Sequence, residues 1–306
     1  MLRNDLAHAV LARDTALANQ ALASLTRGYP GDPAIAHGKL LVLVLQDAAE
    51  SVAQSAARSA AGSAAQSGPQ TAANAAQARA AKRRHFNDSV VAAAIELLGA
   101  PAAAPWLSPA RERLARQHAG LPWDAHRSDD HAAPLWLAAG RWQEAADAIA
   151  GIASWRRIPT PLAWMLQAQY RLHGVDAAWP LLAELAWLAP QQLPELSRTL
   201  ADPLLLRLLK RFDAHFDAHF EDDGASADDE PDLAWFPAWV LTDTAALAPH
   251  LAAAQPGQNR RAEQAFRALV VILGLERQGR HGQLMQHRKV LRDLHVGLYR
   301  AYMATR

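Results

Sequence analysis

The chain has no cysteine among its 306 residues. That single absence excludes disulfides, thiolate nucleophiles and Cys-ligated zinc or iron–sulfur centres together. Period-two runs of Val, Ile and Thr are also missing, which removes most β architectures. The longest strongly apolar runs are 40–45 and 268–275, far short of the roughly 20 residues that cross a bilayer. The N-terminal stretch places Asp5, Arg13 and Asp14 among its apolar residues, so it lacks the unbroken apolar core of a signal peptide. A soluble protein with no membrane partner is expected, located in the cytoplasm. The formal charge of +1 is too small for net charge alone to drive nucleic-acid binding.

Catalytic motifs are missing as well. There is no G-x-S-x-G elbow, no G-x-G-x-x-G after a strand and no H-E-x-x-H. From Gly31 to Gly38-Lys39 the spacing between glycines is too long for a phosphate loop, and Leu40 stands where Ser or Thr would bind magnesium. No paired carboxylates sit on apolar faces as a general acid and base would. The expectation is a protein without catalysis and without a cofactor.

What remains is alanine and leucine, and they point to an all-α chain long enough for a sizeable core. Helix starts are signalled by a capping residue followed by proline: Asp32-Pro33, Ser108-Pro109, Thr160-Pro161 and Asp202-Pro203. Proline at the first helical position gives up an amide that had no partner, while the side chain before it accepts a free one. Five regions follow: a helical hairpin at 1–50, an Ala/Ser/Gln-rich linker at 51–84, helical repeats at 85–220, an acidic mobile loop at 221–232 and a helical region at 233–306.

In the hairpin the expected arms are 2–27 and 33–46, with Leu6, Val10, Leu17 and Ala21 as one stripe and residues 40–45 too apolar to face water. The linker is expected as frayed helix or loop, because it holds too few large side chains to order itself by packing. It ends in the basic run Lys82, Arg83, Arg84, His85. One helix is expected from Phe86 through Leu98, then a Pro-rich break at 100–105, then another helix from Ser108-Pro109 to near Gly120.

Within 130–190 the chain repeats itself. Gly140 and Gly174 lie 34 residues apart, as do Trp136 and Tyr170; Ala145 and Ala178, Ile149 and Leu182, and Ile152 and Leu185 lie 33 apart. A small residue, a glycine turn and an Ala-rich apolar helix at that spacing resemble the tetratricopeptide repeat. Two units at about 127–190 carry the resemblance. The sequence departs from the pattern at Pro134, which would shorten the first helix, and at Gln167, which stands at a small position. The resemblance implies an antiparallel helix-hairpin array forming a right-handed solenoid, here with a C-terminal helical hairpin. It also implies a groove, lined by the first helix of each unit, for a protein or peptide partner. By position that groove would expose Arg127, Asp130 and Leu137 from one unit and Trp164, Ala168 and Arg171 from the next. The implied function is that of a non-catalytic adaptor or scaffold.

Two other readings rest on residues elsewhere. A helix from Pro203 to about Phe220 has an apolar stripe at Leu205, Leu208, Leu209, Phe212, Phe216 and Phe220. It carries His215 and His219 four apart, with Asp213 and Asp217 nearby, in the manner of a metal-dependent enzyme. A second His/Asp cluster, from His126 to His131, is read as a cap supplied by Asp129 or Asp130. The last two helices are expected at about 259–278 and 283–304. The second carries the basic face Arg288, Lys289, Arg292 and Arg300, which together with the run at 82–85 suits nucleic acid. Between them, the aromatic element around Trp235, Phe236 and Trp239 is expected to plug the core.

Overall fold

The computed structural model describes residues 1–60, 78, 80–219 and 232–306, and among these there is no strand. Of the linker expected at 51–84, residues 51–60 belong instead to the helix Ala34–Ala60, while 61–77 and 79, the acidic loop through 231 and the side chains of Phe216, Asp217, His219 and Phe220 lie outside what is described. The described chain is all-α, with helices packed in neighbouring pairs. It divides into two compact units, Met1–Arg141 and Trp142–Arg306.

In the first unit α1 (Leu2–Leu11) and α2 (Thr15–Gly28) replace the single arm expected at 2–27. The break is local chemistry. Arg13 adopts a left-handed φ of 56°, and Asp14 accepts the Leu17 amide at 2.9 Å to start α2. Trp106 secures the elbow: its Nε1 donates to the Val10 carbonyl at 2.7 Å, which also accepts the Arg13 amide at 3.0 Å, and its own carbonyl accepts from Arg13 Nη2 at 2.7 Å. Because the break resets the helical phase, the expected stripe does not continue across it. Leu6 and Val10 are buried, but Leu17 is 52% exposed.

After Asp32, which accepts the Ala34 amide at 2.9 Å, α3 runs Ala34–Ala60. It buries Leu41, Val42 and Leu45, while Leu43 is 59% exposed. Gly38 lets α3 approach α1 closely, since a Cβ there would lie 2.7 Å from Leu6 Cδ2. A π-helical turn, Phe86–Val91, leads into α4 (Ala92–Leu98). Next, α5 spans Ala100–His118 without a break, although Pro101, Pro105 and Pro109 all lie in it. The prolines are four apart, so the amides missing at 105 and 109 would have bonded to the carbonyls of 101 and 105 on one face, and the helix survives. Ser108 is therefore inside α5 and caps nothing; its hydroxyl donates to the Ala139 carbonyl at 2.8 Å. The short α6 (Ala132–Ala138) closes the unit.

The cap of α6 is neither Asp129 nor Asp130. It is His131, whose buried Nδ1 accepts the Ala133 amide at 3.2 Å. Burial first, then the charges of Arg83 and His118, hold this imidazole below its ordinary 6.5. The unfolded chain takes up the proton near 6.5 while the folded one resists, so the contribution is fully present above that pH and is lost as pH falls toward the folded value. Thermal melts at descending pH should thus lose stability below about 6.5, and His131→Asn, which keeps a capping acceptor, should flatten that dependence. An unchanged slope in the variant would assign the effect to another group.

In the second unit α7 (Trp142–Ala150) is followed by α8 (Pro159–His173), α9 (Val175–Leu188), α10 (Leu193–Leu200) and α11 (Pro203–His219). Pro159 opens α8 after Ile158, so Thr160 is already helical and is no cap. Asp202 does cap α11, accepting the Leu205 amide at 2.9 Å. Gly174, at φ 81°, is the one residue between α8 and α9, which pack together; Leu162, Leu166 and Ala168 of α8 and Ala178, Leu182 and Leu185 of α9 are all buried.

The aromatic element is α12 (Phe236–Asp243), and Trp235, Phe236 and Trp239 are buried as expected. After α13 (Ala248–Leu251) come α14 (Arg261–Arg277), α15 (His281–Leu294) and α16 (Val296–Ala304). The helix expected at 283–304 thus breaks at His295, whose Nδ1 accepts the Leu298 amide at 3.3 Å. Two buried carboxylates hold the loop before α14: Glu184 accepts the Gln255 amide at 2.8 Å, and Glu263 accepts those of Gly257 and Asn259 at 2.7 and 2.8 Å.

Candidate functional site

A cleft of about 340 Å³ lies within the first unit. Its floor is apolar: Leu40 and Val44 from α3, Phe86 and Val90 from the π turn, and Ala110 and Leu114 from α5. Leu43 stands at its side, and its exposure follows from lining an open cavity. The mouth carries Asp47, Glu50, Lys82, His85, Arg113 and Gln117. An apolar floor beneath a few polar groups is the usual composition of a ligand site, and π turns inside helices are often found at such sites.

The charges at the mouth are not equivalent. Lys82 pairs with Asp47 at 3.5 Å. Arg113 is half-buried, and its guanidinium has no hydrogen bond or ion pair to a described residue. Burial holds Arg113 below the ordinary guanidinium value; Asp47 opposes this, while Arg13 and Arg116 add to it. A guanidinium remains charged under these conditions, so the cleft presents a partly desolvated cation.

The residues expected to line a repeat groove are differently placed. Leu137 and Ala168 are buried, not exposed: α6 also buries Ala132, Ala133, Leu135 and Trp136, and α8 also buries Leu162, Met165 and Leu166, so each lies among core residues of its helix. Arg127 is exposed and pairs with Asp124 at 3.1 Å. Asp130 is half-buried and its carbonyl meets His118 Nδ1 at 2.7 Å. Trp164 is half-buried. Arg171 lies over the rings of Trp142 and Tyr170 and donates to the Thr199 carbonyl at 3.2 Å. The aromatics at equivalent repeat positions have different neighbours: Arg116 covers the buried Trp136, whereas the Tyr170 hydroxyl donates to Asp202 at 3.2 Å. The two helices of the first expected unit, α6 and α7, fall in different compact units.

The basic runs are also partly committed. Arg83 is buried and donates to the His131 carbonyl at 2.8 Å, so the run at 82–85 is not a uniformly solvent-facing patch. Arg288 donates to the Tyr302 hydroxyl at 2.9 Å and meets Glu276 at 3.1 Å, where Arg306 also arrives at 3.3 Å. Glu276, on α14, thus pairs with two arginines of the C-terminal region. Lys289, Arg292 and Arg300 are exposed, with Arg292 near Asp293 at 3.7 Å. Among the described residues no three His, Asp or Glu converge as metal ligands, and His215 packs against the Trp239 ring at 6.2 Å.

A smaller cleft in the second unit, about 80 Å³, is lined by Arg156, Glu184, Trp187 and Gly257 among others. Its charges satisfy each other, Arg156 bonding both Glu184 oxygens at 2.5 and 2.7 Å. Sequence reasoning missed the larger cleft. Its signals were the out-of-phase Leu43 and Arg113, an Arg amid the apolar positions of α5. No helix among the described residues is long and apolar enough to cross a membrane. No protein-family model, curated protein or solved structure matches the chain.

Proposed function

We propose that this chain is a non-catalytic helical protein that binds a partner protein or peptide, with the cleft of the first unit as its binding surface. The supporting observation is the apolar floor of Leu40, Val44, Phe86, Val90, Ala110 and Leu114, with Leu43 at its side, beneath a polar mouth. The tetratricopeptide resemblance enters this reading for the α8–α9 pair, which has the glycine turn of such a unit. The nucleic-acid reading is weaker, because Arg83 and Arg288 are spent on partners within the fold.

Leu43→Glu tests the proposal. The position is exposed, so the variant should fold with an unchanged helical spectrum, while a charge enters the cleft wall. Quantitative co-purification of the tagged full chain should show a defined set of proteins reduced about tenfold with the variant, the equivalent of 1.4 kcal/mol. An identical set recovered by both proteins would sink the cleft as the binding surface.

A further inference from the structure

We infer that the cleft receives the C-terminus of a partner chain, its last side chains apolar and its terminal carboxylate held by Arg113. The inference rests on the cleft being the binding surface. Four observations bear on the occupant. The floor takes apolar groups, and its volume of about 340 Å³ is near the lower end of ligand sites, which suits the last residue or two of a chain and not a whole helix. Arg113, half-buried at the mouth, is near enough to Asp47 to feel its charge but has no hydrogen bond or ion pair to a described residue; it can therefore still take an anion, and a planar guanidinium matches a carboxylate in a bidentate manner. Lys82 is occupied by Asp47 at 3.5 Å, so one anionic group is accommodated and not several. The mouth also offers Glu50, His85 and Gln117, donors and acceptors that a peptide backbone would use and an alkyl chain would not.

The probe is a panel of labelled short peptides whose last two residues are drawn from Leu, Ile, Val and Phe, each made as the free acid and as the C-terminal amide. Fluorescence anisotropy with the full chain reads the affinity. Free acids should bind, and amidation or Arg113→Leu should each weaken binding about tenfold, as expected for loss of a charge-assisted hydrogen bond. Arg113→Lys, which keeps the charge without the fork, should fall between. Amides binding as well as acids would overturn the carboxylate assignment. If Leu43→Glu then removes both, the cleft reading survives alone; if Leu43→Glu removes neither, that reading fails too. Dodecanoate competing as well as the best peptide would overturn a peptide occupant in favour of a simple alkyl carboxylate. No binding by any member of the panel would overturn the inference outright.

Discussion

Glu263→Ala should destabilise the second unit by about 3–5 kcal/mol, the range for removing one partner of a buried charged group. Glu263 is buried, and its two oxygens take the amides of Gly257 and Asn259 at 2.7 and 2.8 Å, with Arg267 at 3.7 Å. Alanine would leave two amides without that acceptor, a loss of up to about 1–3 kcal/mol each, the larger share falling on the half-buried Gly257 because Asn259 is exposed to water. Glutamine should not rescue fully, since one of the two amides would then face an NH2 group. The loop depends on this carboxylate geometrically as well: a Cβ at Gly257 would lie 2.9 Å from Glu263 Oε2. Equilibrium urea unfolding measures the loss, and proteolysis of the native variant should begin within 252–259. A variant within about 1 kcal/mol of wild type would mean that water replaces the carboxylate at little cost.

Phe212→Ala is expected to cost about 3–5 kcal/mol, and Phe212→Leu markedly less. Phe212 is buried and meets Phe236 and Trp239 edge-on, at centroid distances of 5.6 and 5.5 Å. Truncation removes the ring that joins α11 to α12 and leaves a cavity between two helices that cannot easily collapse. The leucine variant keeps most of the volume and loses the two ring contacts, worth about 0.5–1.5 kcal/mol each. Near-UV circular dichroism should register the altered surroundings of Trp239 in both variants. An alanine variant with wild-type urea midpoint would show that this junction contributes little to the second unit.

These two sites differ in how far the sequence announced them. Phe212 and the aromatic element around Trp235 stand in apolar patterns that can only be core, and the caps Asp32 and Asp202 follow directly from their side chains. Glu263 is invisible to periodicity, because its value lies in amides that a loop brings back to it from six and four residues away. The break at His295 and the cap at His131 escape a sequence reading because an unusual group does the capping, whereas the break before α2 escapes it although Asp14 is an ordinary cap. His131 and His295 cap through Nδ1, and imidazole is not among the side chains usually searched for at helix starts. The reverse holds in α5: the Pro-rich stretch at 100–105 predicts a break, yet the helix runs through it because its prolines are spaced by four. The cleft was hidden for a different reason. Its walls come from α3, the π turn and α5, so no single window of sequence contains it. The 33–34-residue repeat pointed instead to α6 through α9, where Leu137 and Ala168 are interior.

Gly38 carries a consequence for how this protein can change over generations. A methyl group at that position would meet Leu6 at 2.7 Å and Leu22 at 3.2 Å, so the site tolerates growth only if those leucines shrink in concert. Orthologues that diverge freely across the surface of α3 should keep glycine at this crossing, or else exchange it together with residue 6.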